Sequence, residues 1–86
     1  MGFYYVYVLR SEIDRRLYTG CTENLKIRFE RHAKGEVEST KDRLPLALIY
    51  YGACKDNKDA RRREQYLKTT YGHRYLKSRL KSYFTG

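Results

Sequence analysis

The sequence predicts a small α/β fold of the α+β type. It reads as a three-stranded, mainly antiparallel sheet flanked by helices, in the order strand, strand, helix, strand, helix, helix. Two observations carry most of this. Residues 3–10 and 46–54 are rich in aromatic and β-branched residues and are apolar on both alternating faces, as in strands covered on two sides. The segments between and after them carry helix signals: capping residues, helical spacing of apolar positions and glycine stops.

Along residues 3–10, Phe3, Tyr5, Tyr7 and Leu9 alternate with Tyr4, Val6 and Val8. Residues 11–16 are polar and turn-like, and residues 17–21 resume a strand that should pair antiparallel with the first. Gly20 inside it marks a bulge or a close approach to the backbone. Thr22 is the expected N-cap of a helix over 23–34, with Glu23 in its first turn and Gly35 as its stop. Leu25, Phe29 and Ala33 form its apolar stripe. Residues 35–44 read as a polar loop ending at Pro45, the sole proline, and residues 46–54 as the third strand. Asp56 or Asn57 should cap a second helix over 58–71, which Gly72 interrupts before a last basic helix over 73–83. All 86 residues, 1–86, are expected to form one domain. A chain this size buries roughly 60% of the surface of its unfolded form, so the core is marginal.

Ten of the thirteen aromatic residues are tyrosine, whose hydroxyls need partners when the ring packs inside. A tyrosine-rich core therefore points to hydroxyls gathered near a wet cleft. The net charge of +9 is lopsided: residues 1–54 carry nine Lys/Arg against seven Asp/Glu, and residues 55–86 carry ten against three. A field of that sign attracts polyanions, and nucleic acid is the expected partner rather than membrane. Arg61, Arg62, Lys68, Arg74, Lys77, Arg79 and Lys81 are the candidate phosphate contacts. The alternative is a merely solvated basic surface. Cys21 and Cys54 are too few for a disulfide framework, lack metal-ligand spacing and are expected as buried free thiols. The first apolar run is too short to span a membrane and follows no basic segment, so the cytoplasm is the expected location.

Helical spacing places Arg28 and His32 beside the apolar stripe of the first helix, one turn apart. In the second helix Glu64 falls on the stripe of Ala60, Leu67 and Tyr71. Inward charges need a partner, an anion or a metal. One reading is structural: an Arg28–Glu64 ion pair with a semi-buried His32. The other is a catalytic constellation, which requires the two groups to meet Tyr7 and Tyr18 at one cleft. If Arg28 and Glu64 instead lie on opposite sides of the sheet, the catalytic reading is wrong.

The order of these residues resembles the GIY-YIG nuclease superfamily. Tyr5-Val6-Tyr7 stands for its first motif and Tyr18-Thr19-Gly20 for its second; Arg28, His32 and the Glu64-Gln65-Tyr66-Leu67 segment follow in family order. The likeness covers essentially the whole chain. It is greatest to small stand-alone members related to the endonuclease domain of the bacterial excision-repair incision subunit. It implies an endonuclease hydrolysing nucleic-acid phosphodiesters, DNA foremost, in a DNA-repair setting. On that resemblance Tyr7 or Tyr18 is the base, Arg28 grips phosphate oxygens, His32 orients a tyrosine or assists proton transfer, and Glu64 holds one Mg2+ or Mn2+. The competing expectation is a basic nucleic-acid-binding module that does not cleave. Three departures stand out: Tyr5 occupies the glycine position of the first motif, Cys21 stands where excision-repair members often carry lysine, and the late asparagine of some members has no match.

Overall fold

The computed structural model describes residues 2–86. Strand β1 (Tyr4–Ser11) is central, with β2 (Leu17–Thr22) on one side and β3 (Leu46–Cys54) on the other, all antiparallel. The helices are α1 (Leu25–Ala33), α2 (Asn57–Leu67), α3 (Thr70–Arg79) and the short α4 (Lys81–Thr85). The expected α+β architecture and strand–strand–helix order are present.

Alternation along β1 explains why that strand is apolar on both faces. Val6 and Val8 pack on one side with Ala60 and Leu67 of α2 and Leu76 of α3. Tyr7 and Leu9 pack on the other with Leu25 and Phe29 of α1 and with Leu46 and Leu48 of β3. The sheet is thus covered by α1 on one face and by α2 and α3 on the other. Complete burial of one such aliphatic side chain contributes about 1.5–3 kcal/mol.

Several local expectations shift for identifiable reasons. Thr22 does not cap α1, because it is still paired with Tyr5 in the sheet. Asn24 takes that place, its side chain accepting from the Ile27 N–H at 3.1 Å, while Thr22 Oγ1 accepts from the Asn24 N–H. Gly35 does end α1: it adopts φ +74°, and the Gly35 and Glu36 N–H groups donate to the carbonyls of His32 and Arg31. Ala33 of the predicted stripe is exposed, whereas His32 is the fully buried side chain of α1. The loop after α1 contains a single 3-10 turn at Lys41–Arg43. The two cysteines are free but half-buried rather than buried.

The boundary between α2 and α3 falls at Thr69 and not at Gly72. Asp56 caps α2 as expected, accepting from Lys58 N–H at 2.8 Å. Thr69 caps α3 by accepting from Gly72 N–H at 3.1 Å. Gly72 therefore lies inside α3, buried, where a Cβ would collide with the α2 backbone at Tyr66 and Leu67. Its lack of a side chain lets two helices touch; it breaks neither. This break also turns Tyr71 outward, 70% exposed, off the stripe predicted for it. The basic tail divides again at Leu80, which separates α3 from α4.

Candidate active site

The β1–β2 register sets Tyr7 opposite Gly20 and Leu9 opposite Tyr18, so both tyrosines face α1. A Cβ at position 20 would overlap the Tyr7 hydroxyl. Glycine there is what lets the ring of Tyr7 lie across β2. From α1, Arg28 and His32 project toward the same hydroxyl, one turn apart.

These groups form a hydrogen-bonded chain. Arg28 Nε donates to Tyr7 Oη at 3.3 Å, Tyr7 Oη lies 2.9 Å from His32 Nε2, and His32 Nδ1 lies 2.8 Å from Thr40 Oγ1. A guanidinium only donates, so the Tyr7 oxygen accepts from Arg28. A neutral Tyr7 then directs its own proton to His32 Nε2, and His32 carries its proton on Nδ1 and donates it to Thr40. That assignment rests on the network itself. Burial, with the Arg28 charge second, lowers the His32 pKa to about 4, so the ring is neutral at pH 7. Burial likewise pushes the Tyr7 phenol above its ordinary value; the Arg28 bond opposes this, while the Tyr18 and Glu64 charges add to it. The bond to Tyr7 raises the Arg28 pKa, with the Tyr18 hydroxyl contributing further. Tyr18 closes the group, its ring centroid 5.1 Å from that of His32 and 6.3 Å from that of Tyr7.

Thr40 is absent from the residues that the sequence singles out. It is completely buried and fixes the far nitrogen of His32. Its segment reads as an ordinary polar loop, and the one available signal was a small hydroxyl residue eight positions after a buried histidine.

Glu64 belongs to α2 and so starts from the opposite face of the sheet. Yet β2 is an edge strand, and the Glu64 side chain, 14% exposed, lines a cleft of about 350 Å³ at that edge with Tyr18, Thr19, Lys68 and His73. Division by sheet face is therefore the wrong criterion here: an edge allows groups from both faces to meet. The negative charge of Glu64 is felt at Tyr7, whose pKa it helps to raise. The structural Arg28–Glu64 ion pair does not form. Arg28 is bound to Tyr7, and Glu64 pairs with Lys68 Nζ at 3.1 Å.

Cys21, opposite Val6, points to the α2 face. Burial and then the Glu64 charge raise its thiol pKa, and the Arg61 charge opposes them. All seven predicted phosphate-contacting residues are exposed. Arg62 is held by Asp59 at 2.9 Å, Lys68 by Glu64, and Arg74 lies over Tyr71. Lys77 lines a recess beside the Glu64 cleft. Arg63, between them in sequence, instead packs over Tyr75 and Tyr66. A recess of about 770 Å³ between Tyr5, Phe29 and Tyr51, larger than the cleft at Glu64, is lined by none of the five candidate catalytic residues.

Among the described residues no three His, Cys, Asp or Glu side chains cluster as a ready metal site. Glu64 is the carboxylate that lines the cleft beside Tyr18. That fits Mg2+ or Mn2+, which commonly use one or two carboxylates and leave their remaining positions to water and substrate phosphate. No helix among the described residues is long and apolar enough to cross a membrane.

A hairpin bearing two tyrosines, a following helix with arginine and histidine, and a later glutamate at the sheet edge define a small nuclease-type domain. The family model described as the GIY-YIG catalytic domain matches residues 3–77, and the chain belongs to that family. A UPF0213 protein of Staphylococcus haemolyticus is 36% identical over 78 residues, covering 90% of this chain and 94% of the relative. A UPF0213 protein of Clostridium perfringens is 38% identical over 65 residues, covering 74% and 69% of the two chains. One from Pediococcus pentosaceus is 48% identical over 60 residues, 69% of this chain and 61% of that one. No solved structure matches.

Proposed function

We propose that this chain is a metal-dependent endonuclease that hydrolyses nucleic-acid phosphodiester bonds, with DNA as its substrate. The observation that carries this reading is the Arg28–Tyr7–His32–Thr40 chain beside a cleft that holds both Tyr18 and Glu64. Tyr7 is the base in this reading. A proton taken from attacking water onto the Tyr7 oxygen is balanced by passage of the phenol proton to His32 Nε2, so no free tyrosinate is required. His32, held by Thr40, turns its Nε2 to that proton, while burial and the Arg28 charge make it a weaker base than a free imidazole. Arg28 supports the Tyr7 oxygen and presents the rest of its fork to non-bridging phosphate oxygens, where a planar permanent cation suits the developing charge. Tyr18 packs against Tyr7 and His32 and also lines the cleft, which joins the two.

Glu64 would hold one Mg2+ or Mn2+, displacing Lys68. A bound divalent ion supplies Lewis-acid stabilisation of the leaving oxygen. It also offsets the Glu64 charge that raises the Tyr7 pKa. The exposed cations of α2, α3 and α4 meet backbone phosphates without reading sequence. Two free cysteines and the family resemblance favour a cytoplasmic setting and a DNA-repair role.

A second reading has one specific observation behind it. The Tyr7 pKa is raised and Cys21 supplies no cation, which favours a nucleic-acid-binding module without cleavage. Plasmid incubation with Mg2+ or Mn2+ separates the two. The wild type is expected to nick DNA, with Glu64→Ala and Arg28→Ala reduced at least about a hundredfold. A wild type that cuts no faster than both variants ends the nuclease reading.

A further inference from the structure

The cleft containing Glu64 adjoins a second recess, of about 430 Å³, with which it shares Leu17 and His73. Arg10, Arg15, Arg16 and Lys77 wall this second recess, and no carboxylate lines it. The four cations come from the β1–β2 hairpin and from α3, segments far apart in sequence. Arg10, Arg15, Arg16 and Lys77 form no ion pair among the described residues. Glu12 lines an adjoining recess with Arg10 and Arg15, and the Asp14 carboxylate accepts from the Arg16 N–H at 2.9 Å and pairs with Arg43.

Two further features show that this cluster is built rather than scattered. The Arg10 guanidinium is clamped over the rings of Phe84 and Tyr83, 5.3 and 5.6 Å from their centroids, and its buried Nε has no partner. Arg15 adopts φ 63°, a left-handed conformation that costs a non-glycine residue about 1 kcal/mol or more. The turn is pinned there by Arg15 N–H to the Ser11 carbonyl and Ser11 N–H to the Arg16 carbonyl. The left-handed Arg15 belongs to that turn, whereas a merely solvated basic surface needs no orphaned buried N–H like that of Arg10.

We propose that this recess is a backbone-phosphate subsite for the polynucleotide, resting on the nuclease reading above. The strand extends from the scissile position at Tyr18 and Glu64, passes His73 along the β2 edge, and seats a flanking phosphate among Arg15, Arg16 and Lys77. Arg10 forms the apolar-backed floor. Contacts of this kind grip any sequence and release counterions, so they appear in the salt dependence of binding.

The test is binding of the full chain to labelled single-stranded and duplex oligonucleotides, with chelator present, over a range of salt. The recess variant is Arg15→Asn/Arg16→Gln/Lys77→Gln, asparagine being tolerant of the left-handed backbone. The control, Lys26→Gln/Arg31→Gln/Lys34→Gln, removes the same charge from exposed positions of α1 and its cap. The recess variant is expected to bind at least about tenfold more weakly and to lose roughly 0.7–0.9 from the salt slope, the contribution of one phosphate. The control should lose much less. Equal weakening of both variants, or of neither, overturns the subsite. Lys77→Glu, at an exposed position, gives the same discrimination should the triple variant unfold. Plasmid cleavage by the wild type is scored separately. Selective loss of binding without cleavage refutes the nuclease reading but not the subsite; cleavage with equal binding of both variants refutes only the subsite.

Discussion

The two faces of one small sheet are closed in opposite ways. Under α2 and α3 the buried cluster is aliphatic, Val6, Val8, Ala60, Leu67 and Leu76, with the buried Thr19 beside Val8. Under α1 the fully buried helix residue is His32, linked to Tyr7 and Thr40. The first face can be satisfied by any set of apolar volumes that fills it. The second is stable only if every buried polar atom finds its partner.

The difference can be broken most forcefully on the aliphatic side. Leu67→Ala should lower unfolding free energy by about 2–5 kcal/mol. Its hydrogen-bonded chain is on the other face, so any residual cleavage by the folded fraction should be unchanged per folded molecule. Urea unfolding read beside cleavage rate checks this; a stability loss below about 1 kcal/mol would show that the α2 face is not the principal core.

The polar face predicts a pH dependence. His32 has a folded pKa of about 4 against an ordinary 6.5. Below 6.5 the unfolded chain takes up a proton that the folded one refuses. Stability should therefore be full above about pH 6.5, decline as pH falls and level off below the folded value, an overall loss of ~3 kcal/mol. Chemical denaturation of the wild type and His32→Gln across that range isolates the contribution. Parallel curves for the two proteins would mean that His32 does not titrate in this way.

Thr40→Val sharpens the comparison further by leaving His32 Nδ1 without a partner in a buried site. A loss of about 1–3 kcal/mol is expected, with a larger fractional loss of cleavage than of folded protein at pH 7. An unchanged denaturation midpoint would remove Thr40 from the network. The smallest effect expected is that of Cys21→Lys. A cation beside Glu64 opposes one of the charges that raise the Tyr7 pKa, so the cleavage–pH profile should move to lower pH by a fraction of a unit and neutral-pH activity should rise a few-fold. A profile that does not move would show that position 21 does not communicate with Tyr7.

Much of this was legible in the chain. The doubly apolar strands, the Gly35 stop, the Asp56 cap and the inward bias of His32 and Glu64 all follow from spacing and residue type. What was not legible depended on contacts between elements. Gly72 looks like a helix breaker until α2 is seen to press against it. Thr22 has a capping side chain, but the sheet holds its backbone. Thr40 is one hydroxyl among several in a polar loop until the fold buries it against His32.

The sequence alone determines the alternation that gives β1 two covered faces, the tyrosine pair on the hairpin and the excess of positive charge toward the C-terminus, because these depend on local period and composition. Tertiary structure decides that Arg28 serves Tyr7 rather than Glu64, and that Glu64 reaches the tyrosine side around an edge strand. It also draws Arg10, Arg15, Arg16 and Lys77 into one recess. Those outcomes depend on strand order and register, which bring together residues that no sequence period connects.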